Sequence, residues 1–79
     1  MADELKIITI HGKWKLRYNS DSESGMKHLQ YDLDLGECLP FFEQAKRSGS
    51  AHFEDDEERQ YTIAYNRNDF SYTLVRRKF

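Results

Sequence analysis

The sequence has one cysteine, Cys38, and one proline, Pro40, among its 79 residues. A lone cysteine excludes an intramolecular disulfide, so the fold draws nothing from an oxidising compartment. Glycine is scarce, at four residues. None of them sits in a dinucleotide fingerprint, a phosphate loop or a Gly-x-Ser-x-Gly elbow. No apolar run approaches the roughly 20 residues of a membrane span, and the opening MADELK has no signal-peptide pattern. A cytoplasmic protein without a membrane partner is therefore expected. Charge is nearly balanced, with a net of −2 and a pI near 5.9, so no global basic field draws the chain onto nucleic acid or anionic lipid.

Metal-ligand spacing is also missing. His11, His28, Cys38 and His52 are scattered, with no close pair of the kind that pre-places two zinc ligands. The acidic run Glu54, Asp55, Asp56, Glu57, Glu58 lacks the alternating oxygens and the glycine of an EF-hand loop. No metal and no cofactor are expected. A chain of this length forms one domain, residues 1–79, burying roughly 60% of the surface its unfolded form exposes. That leaves a thin core and little room for a walled catalytic pocket.

The chain does have an aromatic content of 14%, which supplies burial to offset chain entropy. In KIITIHGKWKLRY, two apolar-rich runs flank His11-Gly12, which suits a two-residue hairpin turn. That turn sets Thr9 opposite Trp14, Ile7 opposite Leu16 and Leu5 opposite Tyr18 on a core face. It sends Ile8 and Ile10 outward among Lys6, Lys13, Lys15 and Arg17. Residues 19–27, polar and serine-rich, read as a mobile loop. In HLQYDLDL, Leu29, Tyr31, Leu33 and Leu35 alternate with polar residues, the pattern of a half-buried strand. GECLPFFEQAKRSG is the helix candidate, with Cys38, Phe41, Phe42 and Ala45 on one stripe. Asp34 and Glu37 have capping-box spacing, but a helix starting there buries Pro40 in its interior, so the regular helix is expected over about 40–48. Gly49 is its natural stop.

The last third predicts a hairpin about the turn signal NRND, with Tyr65, Ile63 and Tyr61 facing Phe70, Tyr72 and Leu74 on one apolar face. Extended outward, this register lays Glu58 against Arg77, Glu57 against Lys78 and Asp56 near Phe79. The acidic and basic runs then neutralise each other across the hairpin. The expected fold is α+β: an antiparallel five- or six-stranded sheet with one helix on one face, in the order β-β-β-α-β-β-β, the strand after the helix short or absent. Its core candidates are Leu5, Ile7, Trp14, Leu16, Tyr18, Leu29, Tyr31, Leu33, Phe41, Phe42, Ile63, Tyr65, Tyr72 and Leu74.

For function, the pattern points to a small non-catalytic protein-binding module, a regulator or inhibitor that occupies a surface of a larger macromolecular machine. The candidate contact residues are Ile8, Ile10, Lys13, Lys15 and Arg17 on the first hairpin. Glu54, Asp55, Asp56, Glu57 and Glu58 form a second candidate patch, suited to a basic groove. β-branched residues set in a basic lattice suit a partner surface, and a homodimer through the same face is compatible. The alternative is a nucleic-acid-binding domain using Lys13, Lys15 and Arg17 along a phosphate backbone. Stacking residues on that face are lacking, because the register sends the aromatics inward. Catalysis by Cys38 is not expected, since a cysteine on an apolar stripe is a small buried hydrophobe.

Overall fold

A computed structural model of the chain describes residues 5–77. It contains β1 (Lys6–Ile10), β2 (Trp14–Tyr18), a 3₁₀ turn (Ser20–Ser22), α1 (Glu23–Lys27), a π-helical turn (His28–Asp32), α2 (Leu35–Ser48), β3 (Ser50–Glu54), β4 (Gln60–Asn66) and β5 (Ser71–Arg77). The fold is α+β. The sheet has five strands in the order β1-β2-β5-β4-β3. It is mixed, not antiparallel as expected, because β5 inserts beside β2 and runs parallel to it. The other three pairings are antiparallel.

The first hairpin differs from its sequence expectation by one residue. Its loop holds three residues: His11 and Gly12 have φ of 52° and 69°, and the Lys13 N–H donates to the Ile10 carbonyl. Ile10 therefore pairs with Trp14, Ile8 with Leu16 and Lys6 with Tyr18. A single-residue slip exchanges the two faces of a strand. Ile10 is fully buried and Ile8 packs against the core, while Leu5 and Ile7 are more than half exposed. The outward placement of Ile8 and Ile10 is thus overturned.

Residues 20–32 are helical rather than a loop followed by a strand. Asn19 starts the helical run: its side chain accepts from the Ser22 N–H, and the Ser22 hydroxyl accepts from the Asn19 N–H. Ser22, Gly25, Met26, His28 and Leu29 are buried, and Tyr31 is exposed. Gly25 lets α1 approach the sheet, since a Cβ there would lie 2.8 Å from the Tyr61 ring. At the π turn, the Leu33 N–H bonds to the His28 carbonyl, one residue further back than in an α-helix. The Leu29 carbonyl is left without its helical donor and is served from elsewhere. The His11 Nε2 donates to it at 2.8 Å and the Cys38 thiol at 3.2 Å.

α2 is longer than expected, starting at Leu35 with Pro40 inside it. The capping box of Asp34 and Glu37 forms in both directions, and Gly49 (φ 96°) ends the helix as expected. Pro40 removes one intrahelical donor, and the carbonyl it would have served belongs to the exposed Gly36. Cys38, Phe42 and Ala45 face the sheet. Phe42 stacks on Trp14 at 4.4 Å between centroids and meets Tyr72 edge-on at 4.9 Å. Such aromatic pairs add about 0.5–1.5 kcal/mol beyond the area they bury.

The second hairpin also slips, by two residues. Tyr65 pairs with Tyr72, Ile63 with Leu74 and Asn66 with Ser71. Slipping by two preserves the faces, so Tyr61, Ile63, Tyr72 and Leu74 are buried as expected. Phe70 is displaced into the loop, with φ 58° and 75% exposure.

Candidate functional site

The described helical segments contact one side of the sheet, and the other side remains open. The register writes that open side out in rows. One row runs Ile7, Arg17, Thr73, Ala64, Ser50 across all five strands. Val75, Thr62 and His52 form a second across β5, β4 and β3, and Arg77, Gln60 and Glu54 a third. Thr9 and Lys15 pair at the other end. The surface mixes short side chains with long charged ones and has three exposed aliphatic residues, Leu5, Ile7 and Val75, at 54%, 57% and 49%.

Its cations differ in freedom. Arg17 is latched: its guanidinium donates to the Ser71 hydroxyl at 2.8 Å and pairs with Asp69 at 2.6 Å. Asp69 also accepts from the Ser71 hydroxyl and N–H, and these bonds with Arg17 hold its carboxyl down at about 2. Arg77 bonds to Gln60 Oε1 and to His52 Nδ1. Lys15 is exposed and makes no ion pair among the described residues.

The acidic run divides by role. Asp55 is buried, its side chain only 3% exposed. It accepts from the N–H groups of Glu57 and Arg59, from Arg59 Nε at 2.8 Å and from the Tyr61 hydroxyl at 3.1 Å. Burial pushes its carboxyl up, but the bonds from Arg59, Glu57 and Tyr61 outweigh it and leave it below the ordinary value. Glu57 pairs with Arg59 at 3.3 Å, and Glu58 takes a left-handed turn conformation. Glu54 ends β3 opposite Gln60, and Asp56 lies near His28 and Asp32. Arg77 stands opposite Gln60, which overturns the expected Glu58–Arg77 pairing. Lys78 and Phe79, the other expected partners, lie outside the described residues.

The ten residues expected to contact a partner are therefore dispersed. Lys15 and Arg17 are on the open face, Ile8 and Ile10 on the covered one, and Asp55 is internal. Lys13 lies at the hairpin loop, its ammonium 5.2 Å from the Trp14 ring centroid. It borders a groove with Lys15, Lys46, Glu43, Tyr65 and Phe70. Leu5 and Ile7, expected in the core, are surface residues, and Val75 is an exposed residue that the candidate contacts did not include. Allowing for a three-residue loop around Gly12 would have exposed the first two. Cys38 is buried, and burial, with Asp34 and Glu37 adding to it, pushes its thiol up to about 11. No helix among the described residues is long and apolar enough to cross a membrane. Comparison with protein-family models, curated proteins and solved structures gives no match.

Proposed function

We propose that the protein is a non-catalytic binding module whose open sheet face docks a protein partner, acting as a regulator or inhibitor that occupies a surface of a larger assembly. The observation that carries this is the one-sided covering of the sheet, with Leu5, Ile7 and Val75 exposed on the bare side. Exposed apolar side chains set among polar and charged ones suit a partner contact. Lys15, Arg17 and Arg77 stand on the same face, so an acidic partner surface is the complementary one. The high thiol pKa and burial of Cys38 support a non-catalytic role, since the thiolate is the reactive form.

A photo-crosslinking residue at Ile7 or Val75 tests this, with one at Tyr31, exposed on the helical side, as control. Adducts to one protein species from both open-face positions, lost on Lys15→Glu, are expected. Equal labelling from Tyr31 would sink the reading, and a crosslinked dimer of the chain itself would make the partner a second copy.

One observation favours nucleic acid as a second reading. Phe70 is 75% exposed beside Lys13, Lys15 and Lys46, which puts an aromatic ring among cations where the sequence had placed none. Fluorescence anisotropy with labelled single-stranded DNA, duplex DNA and RNA distinguishes it. The reading predicts binding that weakens steeply with salt and is lost in Phe70→Ala and in a Lys13/Lys15 double-Gln variant. Absence of binding even at low salt removes it.

A further inference from the structure

On the helical side of the sheet, away from the open face, three side chains converge that neither reading uses. We propose that His28, Asp32 and Asp56 form a binding site for a divalent transition-metal ion, with zinc as the representative. Each residue offers one ligand atom, and these atoms all lie within 4.8 Å of one another. One imidazole nitrogen with two carboxylate oxygens is a donor set that zinc accepts, with the remaining position left to water. Calcium and magnesium favour all-oxygen shells, which the imidazole disfavours.

A second, independent observation is the state of His28. Its side chain is only 9% exposed, and its ring lies flat against Phe53, at 6.2 Å and 9° between planes. Outside the cluster its ring nitrogens have no hydrogen-bond partner among the described residues; the one contact is Nδ1 to Asp32 Oδ2 at 3.1 Å. A buried imidazole whose one hydrogen-bond partner among the described residues is a carboxylate, with a second carboxylate within 4.8 Å, is an arrangement a cation completes. Neither Asp32 nor Asp56 has a Lys or Arg partner within ion-pair distance, so nothing else in the described chain neutralises the pair.

The backbone pre-places the ligands. The π turn brings residues 28 and 32 together over one turn. Asp56 lies in the loop that Asp55 closes, with the Asp55 N–H bonded to the Arg59 carbonyl and the Glu58 N–H to the Asp55 carbonyl. The 3.1 Å between His28 and Asp32 already suits two ligands of one small ion, and the exposed Asp56 side chain swings to close the set.

The test uses the full chain freed of metal by chelation. Zinc chloride is titrated calorimetrically, the melting temperature is followed, and cobalt(II) supplies a visible spectrum. We expect one equivalent bound and a melting temperature raised by roughly 10–20 °C at a hundredfold excess over Kd. Asp32→Asn and Asp56→Asn should each weaken zinc by at least roughly tenfold, and the metal-free melting temperature should stay put in Asp56→Asn, whose side chain is exposed. His52→Gln should change nothing. No heat and no melting shift at submillimolar zinc would overturn the site. So would binding that survives the Asp32/Asp56 double-Asn variant, or binding lost in His52→Gln. His28→Gln should abolish binding, but Asp56→Asn is decisive because it leaves the buried ring in place. Both proposals can fail separately, since the open-face positions Ile7 and Val75 lie in β1 and β5, away from the residues of this cluster.

Discussion

Two aspartates close the two loops on either side of β4, and they do it alike and unequally. Asp55 and Asp69 each accept from the backbone N–H two residues on, the bond that tightens an Asx-type turn. Each then takes an arginine, Arg59 for one and Arg17 for the other. Asp55 does this from inside the protein, with the Tyr61 hydroxyl as a further donor, whereas Asp69 does it at the surface. The local chemistry is shared, so any difference in consequence comes from desolvation. A buried acceptor leaves its donors stranded when it is removed, and an exposed one leaves them to water.

The largest effect should come from Asp55→Ala. It strands the Tyr61 hydroxyl and two backbone N–H groups, and we expect a loss of about 3 kcal/mol in urea unfolding. A loss no larger than that of Asp69→Ala would break the comparison. Gly25→Ala comes next, because its methyl meets the ring of Tyr61, the residue Asp55 holds. Overpacking of this kind costs about 1–3 kcal/mol, offset in part by the roughly 1 kcal/mol that alanine gains in a helix. Combined with Asp55→Ala it should be sub-additive, since both changes act on one side chain; strict additivity in a double-mutant cycle would show the two are unconnected.

Asp69→Asn should lower the urea midpoint less than either, and the deficit should shrink in molar salt, which screens exposed pairs. The smallest effect is in the acid limb of stability. Both carboxylates titrate below their ordinary value in the folded chain. The unfolded chain therefore binds more protons as pH falls, so their contribution is complete above the ordinary carboxylate range and is lost below it. For Asp69 that window runs from 3.8 down to about 2. Melting temperature against pH should fall less steeply there in Asp69→Asn than in the wild type.

The two hairpins show how much of this was legible. The apolar and polar alternation identified four of the strands, and in the second hairpin it also identified the faces, because its two-residue slip preserves them. In the first hairpin one extra loop residue, Lys13, exchanged them and took Ile8 and Ile10 off the candidate surface. The alternation of Leu29, Tyr31, Leu33 and Leu35 misled for a different reason. Over so short a run it fits a strand as well as a helix, and the caps at Asn19 and Asp34 decided the matter. The helix assignment also changes what His28 and Asp32 can do. In a strand they would stand roughly 13 Å apart, whereas across the π turn they touch. Within the acidic run, nothing local distinguishes Asp55 from its neighbours; the Tyr61 hydroxyl that singles it out comes from the next strand.

The parallel seam between β2 and β5 has a consequence in time. β5 is the last strand of the described chain, yet it sits at the centre of the sheet, between β2 and β4. A nascent chain that has emerged only as far as Asn66 can form its first hairpin, its helices and the β3–β4 pair, but the two halves of the sheet have no strand to join them. Contacts between residues so far apart in sequence are slow to form, and until they do, β2 and β4 each present an open edge to any neighbouring chain. The step that completes the sheet is therefore the arrival of Ser71–Arg77, and a polypeptide cut short before it would be left as two unjoined half-sheets.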